Sequence, residues 1–183
     1  MKIAMIVLAA GLIPAWGQEI KLPANLEKLA EKAEQSVNVS LDGSMLRLAA
    51  RFLSDKDRDA AKARNVFAGL ESLHVRRFEF ASVGAYSMAD VDAVRAQLQP
   101  PAWSRVVGVK FRPGNGDADV YLKSAGNGQL GGVVVISAKP KELTIVTIVG
   151  TLDPQQLADL GAQSDIFDLA GNLGTTNRRR GSR

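Results

Sequence analysis

Gly131-Gly132-Val133-Val134-Val135-Ile136-Ser137, then Lys139-Pro140-Lys141-Glu142, then Leu143-Thr144-Ile145-Val146-Thr147-Ile148-Val149-Gly150, is the stretch around which the rest of the chain must pack. Val, Ile and Thr runs bounded by Gly and Pro favour strand over helix, because β-branched side chains fit a pleated surface. Both runs are apolar at odd and even positions alike, so the stretch reads as two adjacent strands, apolar on both faces, joined by a short charged turn. This pair predicts the centre of a sheet. Asp153-Pro154-Gln155-Gln156 then starts a helix: Asp caps, Pro suits the first helical position, and Gln156 can reach back.

Working back from the pair, Ser124-Ala125-Gly126-Asn127-Gly128 reads as a tight turn. Before it Ala118, Val120 and Leu122 alternate with Asp117, Asp119, Tyr121 and Lys123, the pattern of a half-exposed strand. Pro113-Gly114-Asn115-Gly116 turns the chain out of an earlier strand in which Trp103, Val107, Val109 and Phe111 are expected on one face. These four strands predict an antiparallel meander.

Further upstream the periodicity becomes helical. Leu26, Leu29, Ala30 and Ala33 make one amphipathic helix. Met45, Leu46, Leu48, Ala49, Phe52 and Leu53 make another, capped by Asp42 or Ser44. Ala60, Ala63, Val66, Phe67 and Leu70 make a third, and Val91, Val94 and Leu98 a fourth, begun at Ser87 and stopped by Pro100-Pro101. Between them Ser36–Leu41 and Leu73–Phe80 read as strands. In the second the apolar positions are odd through Val75 and even from Phe78, so a bulge at Arg76-Arg77 is expected to restore one buried face. The whole order predicts an α+β fold: an antiparallel sheet of about five to six strands, a meander in its second half, with helices packed on one face.

The chain opens with Lys2, an apolar run from Ile3 to Ile13, and Ala15-Trp16-Gly17, a pattern of charge, core and small residues that reads as a signal peptide cut after Gly17. An uncleaved anchor is the alternative. Three segments are therefore expected: the signal at 1–17, a single domain at 18–164, and a flexible basic tail at 165–183. The address is periplasmic or secreted. With no cysteine there is no disulfide, no thiolate site and no lipid-bearing cysteine. The formal charge of +4 is misleading: setting aside Lys2 and the tail residues Arg178, Arg179, Arg180 and Arg183 leaves 18 basic against 19 acidic residues. A near-neutral body gives no general footprint for nucleic acid or an anionic membrane.

Val37-Asn38-Val39, Met45-Leu46-Arg47-Leu48-Ala49, Leu73 through Phe80, Trp103-Ser104-Arg105-Val106-Val107, Asp119 through Lys123, and Thr144 through Gly150 with Leu157 together resemble the domain-of-unknown-function 4252 family, over roughly residues 24–160. That resemblance implies a small exported bacterial domain, often lipid-anchored, with no established activity and no catalytic residues to carry over. This chain departs from it in having no cysteine at the signal boundary.

Motifs with chemical content are few. Asp55-Lys56-Asp57-Arg58-Asp59 has the opening carboxylates of a calcium loop, but Ala60 and Val66 stand where Gly and Glu are required. Gly126-Asn127-Gly128-Gln129-Leu130-Gly131 matches a dinucleotide fingerprint whose context demands a helix, whereas a strand follows. His74, the single histidine, is the one candidate base for a serine nucleophile. Arg76 and Arg77 with Arg105 and Lys110 would form a basic patch if their strands paired, and Tyr121 and Lys123 extend the candidate interaction surface. No metal, cofactor or catalytic residue is assigned. The expected function is a non-enzymatic envelope protein that binds another envelope protein through a sheet face or edge. The alternatives are a carrier of small apolar ligands or lipid, and a hydrolase using His74.

Overall fold

A computed structural model of the chain describes residues 20–52 and 58–155. The expected signal segment, the acidic run at Asp55 to Asp57, the Leu157–Leu160 helix face and the basic tail lie outside the described residues. A short helix α1 (Ala24–Glu27) continues as a 3-10 turn (Lys28–Glu31). Then come β1 (Gln35–Asp42), α2 (Gly43–Arg51), α3 (Arg58–Gly69), β2 (Leu70–Glu79), α4 (Met88–Arg95), β3 (Trp103–Lys110), β4 (Asp117–Gly126), β5 (Gln129–Lys139) and β6 (Glu142–Leu152). The strands form one antiparallel sheet in the order β1-β2-β6-β5-β4-β3. The α+β class and the meander are as the sequence implies, and the β5–β6 hairpin lies in the middle of the sheet.

The helices are divided between the two faces of the sheet. On the front face, Leu26, Leu29, Val91, Val94 and Leu98 pack against Phe78, Ile136, Leu143 and Ile145. On the back face, Leu46 of α2 and Val66 of α3 pack with Leu70, Val133 and Leu152. A strand's neighbouring residues point to opposite faces, which is why β5 gives Val134 and Ile136 to one core and Val133 to the other. The expectation of a single covered face is refined accordingly.

This division explains the phase change in β2. Pairing with β1 runs without interruption from Leu73 through Phe78, so the bulge expected at Arg76-Arg77 is absent. The apolar residues change parity because the cover changes side: Leu73 serves the back core, and Phe78 the front core at the other end of the strand. In β2 the register shifts instead at its start, between Leu70 and Ser72 in the pairing with β6, and a further bulge lies in β3, between Arg105 and Val107. It corrects a second expectation. Trp103 pairs with Lys123 on the front face, while Val107 and Val109 pair with Val120 and Ala118 on the back, so Trp103 and the valines do not share a face.

Beside the row covered by α2 and α3, the register aligns one valine from every strand: Val39, Val75, Val146, Val135, Val120 and Val107. At the β4–β5 turn, Gly126, Asn127 and Gly128 all have positive φ, of 83°, 51° and 75°. Such a turn links two strands and presents no helix N-terminus to a phosphate. Among the described residues no helix is long and apolar enough to cross a membrane.

Candidate functional site

The outermost strand on one side, β3, is where the sequence leaves the most uncovered chemistry. After buried Trp103, every residue from Ser104 to Lys110 is exposed, and Val106, Val107 and Val109 show 53, 44 and 43% of their surface. One side of the strand pairs with β4, and the other borders no strand of the sheet.

What holds this edge in place is built on α4. The helix starts at Ser87, whose hydroxyl accepts from the Ala89 amide at 3.2 Å. It buries Val91 and Val94 and ends with Arg95, a cation suited to a helix C-terminus. The guanidinium leans onto β4. Its Nε donates to Asp119 Oδ2 at 2.8 Å, Nη2 to Asp117 Oδ1 at 2.5 Å, and Nη1 to Asp92 Oδ1 at 2.8 Å. Burial works to lower the pKa of Arg95, but hydrogen bonds to Asp92 and Asp117 prevail and raise it. Asp119 is only 2% exposed, so this ion pair is a buried one.

Arg105 of β3 supplies the second cation. Its Nη2 meets Asp119 Oδ1 as an ion contact rather than as an aligned hydrogen bond. To do so the guanidinium crosses Gly108, the residue paired with Asp119, and occupies the space that a Cβ at Gly108 would fill. The glycine gives the arginine its path. Trp103 anchors the start of β3: its ring reaches over β4 to lie against Gly132, and the ammonium of Lys123 sits 5.9 Å from the ring centroid. Nearby, burial and the charge of Asp117 push the Tyr86 hydroxyl up to about 12, and burial and Asp119 raise that of Tyr121.

The structure separates the six residues singled out by sequence. Arg105 and Lys110 lie on β3, and Tyr121 and Lys123 on its neighbour β4. Arg76 and Arg77 lie on β2, four strand spacings away, about 19 Å at ~4.8 Å each. The combined basic patch does not exist, because β2 and β3 do not pair. Arg76 and Arg77 also point to opposite faces. Arg76 donates to Asn38 Oδ1 and, at 3.5 Å, to the Val39 carbonyl; Arg77 pairs with Glu79 at 2.5 Å and Glu142 at 3.5 Å. Tyr121, at 5% exposure, belongs to the front core and not to the surface, because α4 covers the strand expected to be half exposed. Sequence reading missed Asp119, Arg95 and Gly108. An acid spaced two from another acid on a strand, facing two distant arginines, was the only trace of them.

His74 stands beside Ser40, its cross-strand partner, with Oγ 2.8 Å from Nδ1. Among the described residues no carboxylate hydrogen-bonds the other ring nitrogen to orient it, which a serine–histidine pair needs for acyl transfer. The arrangement is that of a polar cross-strand pair.

A comparison with curated proteins finds no match. All six strands, with α2, α3 and α4, fall within residues 30–160, over which the chain matches the family model described as Domain of unknown function (DUF4252), and the chain belongs to that family.

Proposed function

We propose that the protein is a non-enzymatic binding module of the bacterial envelope that accepts an extended segment of another protein along β3. The observation that carries this reading is the strand itself: eight residues at the margin of the sheet, with one side that pairs with no strand among the described residues and three exposed valines. Edge strands in soluble proteins are usually blunted with charge. Here Arg105 is drawn over the front face to Asp119, leaving Lys110 as the other charge on the strand. An added strand would gain main-chain hydrogen bonds, and an apolar side chain opposite Val107 would extend the six-valine row by one. The bulge at Arg105–Val107 confines regular pairing to Val107 through Lys110 and so fixes its register.

Two features weigh for binding over the alternatives. The space between α4 and the sheet is filled by Val91, Val94, Leu98 and Ile136, each at most 2% exposed, which leaves little room for a carried lipid. His74 lacks an orienting acid among the described residues. The test is a photo-crosslinking amino acid placed at Val109 and, as a reference, at Val37 on the opposite edge, with products identified by mass spectrometry. Capture from Val109 that falls at least about tenfold in Val107→Lys is expected for strand addition. Equal capture from both edges, or capture indifferent to Val107→Lys, would sink the proposal.

A further inference from the structure

Helix α2 carries two apolar faces, and only one of them is used in the core. Leu46 and Ala50 are buried. Met45, Leu48 and Phe52 recur at intervals of three and four and are 52, 54 and 82% exposed, with exposed Ala49 among them. At about 100° per residue, these four side chains fall within an arc of about 100° and form one continuous ridge. Arg47 and Arg51, one turn apart, line its flank. Both are exposed; among the described residues Arg51 has no hydrogen bond or ion pair, while the Arg47 guanidinium lies over Gly43 and acts electrostatically on Asp42. The helix contains no acidic residue; the aspartate before it, Asp42, is engaged as the cap, accepting from the Ser44 and Met45 amides at 2.8 and 2.9 Å.

We propose that this ridge docks on a lipid bilayer rich in anionic headgroups. Met45, Leu48 and Phe52 enter the boundary between headgroups and acyl chains, while Arg47 and Arg51 pair with phosphates. Charge complementarity favours a bilayer. Two exposed arginines beside bare apolar side chains answer a surface of dispersed negative charge, and no polar side chain on the ridge specifies the fixed geometry of a protein groove. The ridge is convex, and Phe52 stands almost wholly in solvent at its end. The near-neutral sum of the chain's charge conceals this local pair of cations. Nine residues with three large side chains give weak, reversible docking. Because α2 packs on β1 and β2, a membrane-docked molecule would leave the β3 edge on the far side of the sheet.

The absence of cysteine makes the test direct, since one introduced thiol can carry a polarity-sensitive dye. The full chain is labelled at Phe52→Cys, at Leu48→Cys, and at Val109→Cys as a reference, then mixed with vesicles of phosphatidylcholine alone or with equal phosphatidylglycerol. Dyes at 52 and 48 are expected to brighten and shift to the blue on the anionic vesicles, to reverse at high salt, and to differ from the dye at 109. Replacing Arg47 or Arg51 by Gln is expected to lower the partition constant roughly fivefold each, equivalent to about 1 kcal/mol. Circular-dichroism melting checks that each variant is folded. Dyes that stay dark on both vesicles, respond equally to both, or ignore the arginine replacements would overturn the proposal. So would shielding of position 52 by an acidic protein but not by vesicles. None of these outcomes depends on strand addition at β3.

Discussion

At the scale of single residues, the firmest constraint is Asp119. This carboxylate is 2% exposed, and Arg95 and Arg105 approach it from different elements, one from α4 and one from β3. Removing it by Asp119→Ala leaves the Arg95 guanidinium, itself largely buried, short of one acceptor. A loss of about 3 kcal/mol in denaturant unfolding is expected, at the low end for a broken buried pair because half-exposed Arg105 regains water. Gly108 makes a finer prediction. Gly108→Ala displaces the guanidinium, and Arg105→Gln removes it; each is expected to cost about 1 kcal/mol or less. Because both break the same contact, a double-mutant cycle should find their effects well short of additive. Additive costs would mean that the glycine serves some purpose other than the arginine's path.

At the scale of elements, α2 shows how a short helix is held between two sequence signals. Asp42 ends β1 and caps α2 without an intervening loop. The Ser44 hydroxyl, then the Met45 amide, hold its carboxyl below the ordinary aspartate value. A depressed folded pKa means that the stabilisation is complete above the ordinary value, near 4, and is lost as pH falls through the lower folded one. Hydrogen exchange in α2 is therefore expected to stay constant from pH 7 to about 5, after correction for intrinsic rates, and to show reduced protection below about pH 4. Asp42→Asn, which still accepts as a cap, should flatten that dependence. A profile identical in the variant would remove Asp42 as its cause.

At the scale of the whole molecule, one sheet carries two cores at opposite ends of opposite faces. Leu143→Ala in the front core and Leu46→Ala in the back core are each expected to cost about 3 kcal/mol. The two side chains belong to separate clusters, so the costs should add within about 0.5 kcal/mol. Yet β2, β5 and β6 contribute to both cores, which should keep unfolding a single calorimetric transition with equal van't Hoff and calorimetric enthalpies. Two transitions would mean that the faces fold independently.

The sequence by itself determined the local elements. Val and Ile runs between glycines specified β5 and β6, Asp42 and Ser87 marked the starts of helices, and the family pattern was carried by core positions along the strands. These signals are local, because propensity, periodicity and capping act over a few neighbouring residues. Only the tertiary structure decided which face each apolar residue serves. The parity change in β2 has two readings, a bulge under one cover or a straight strand under two, and cover is contributed by helices distant in sequence. Strand order is non-local in the same way: it parted Arg76 and Arg77 from Arg105, brought Arg95 to Asp119, and left the valines of β3 at an open edge.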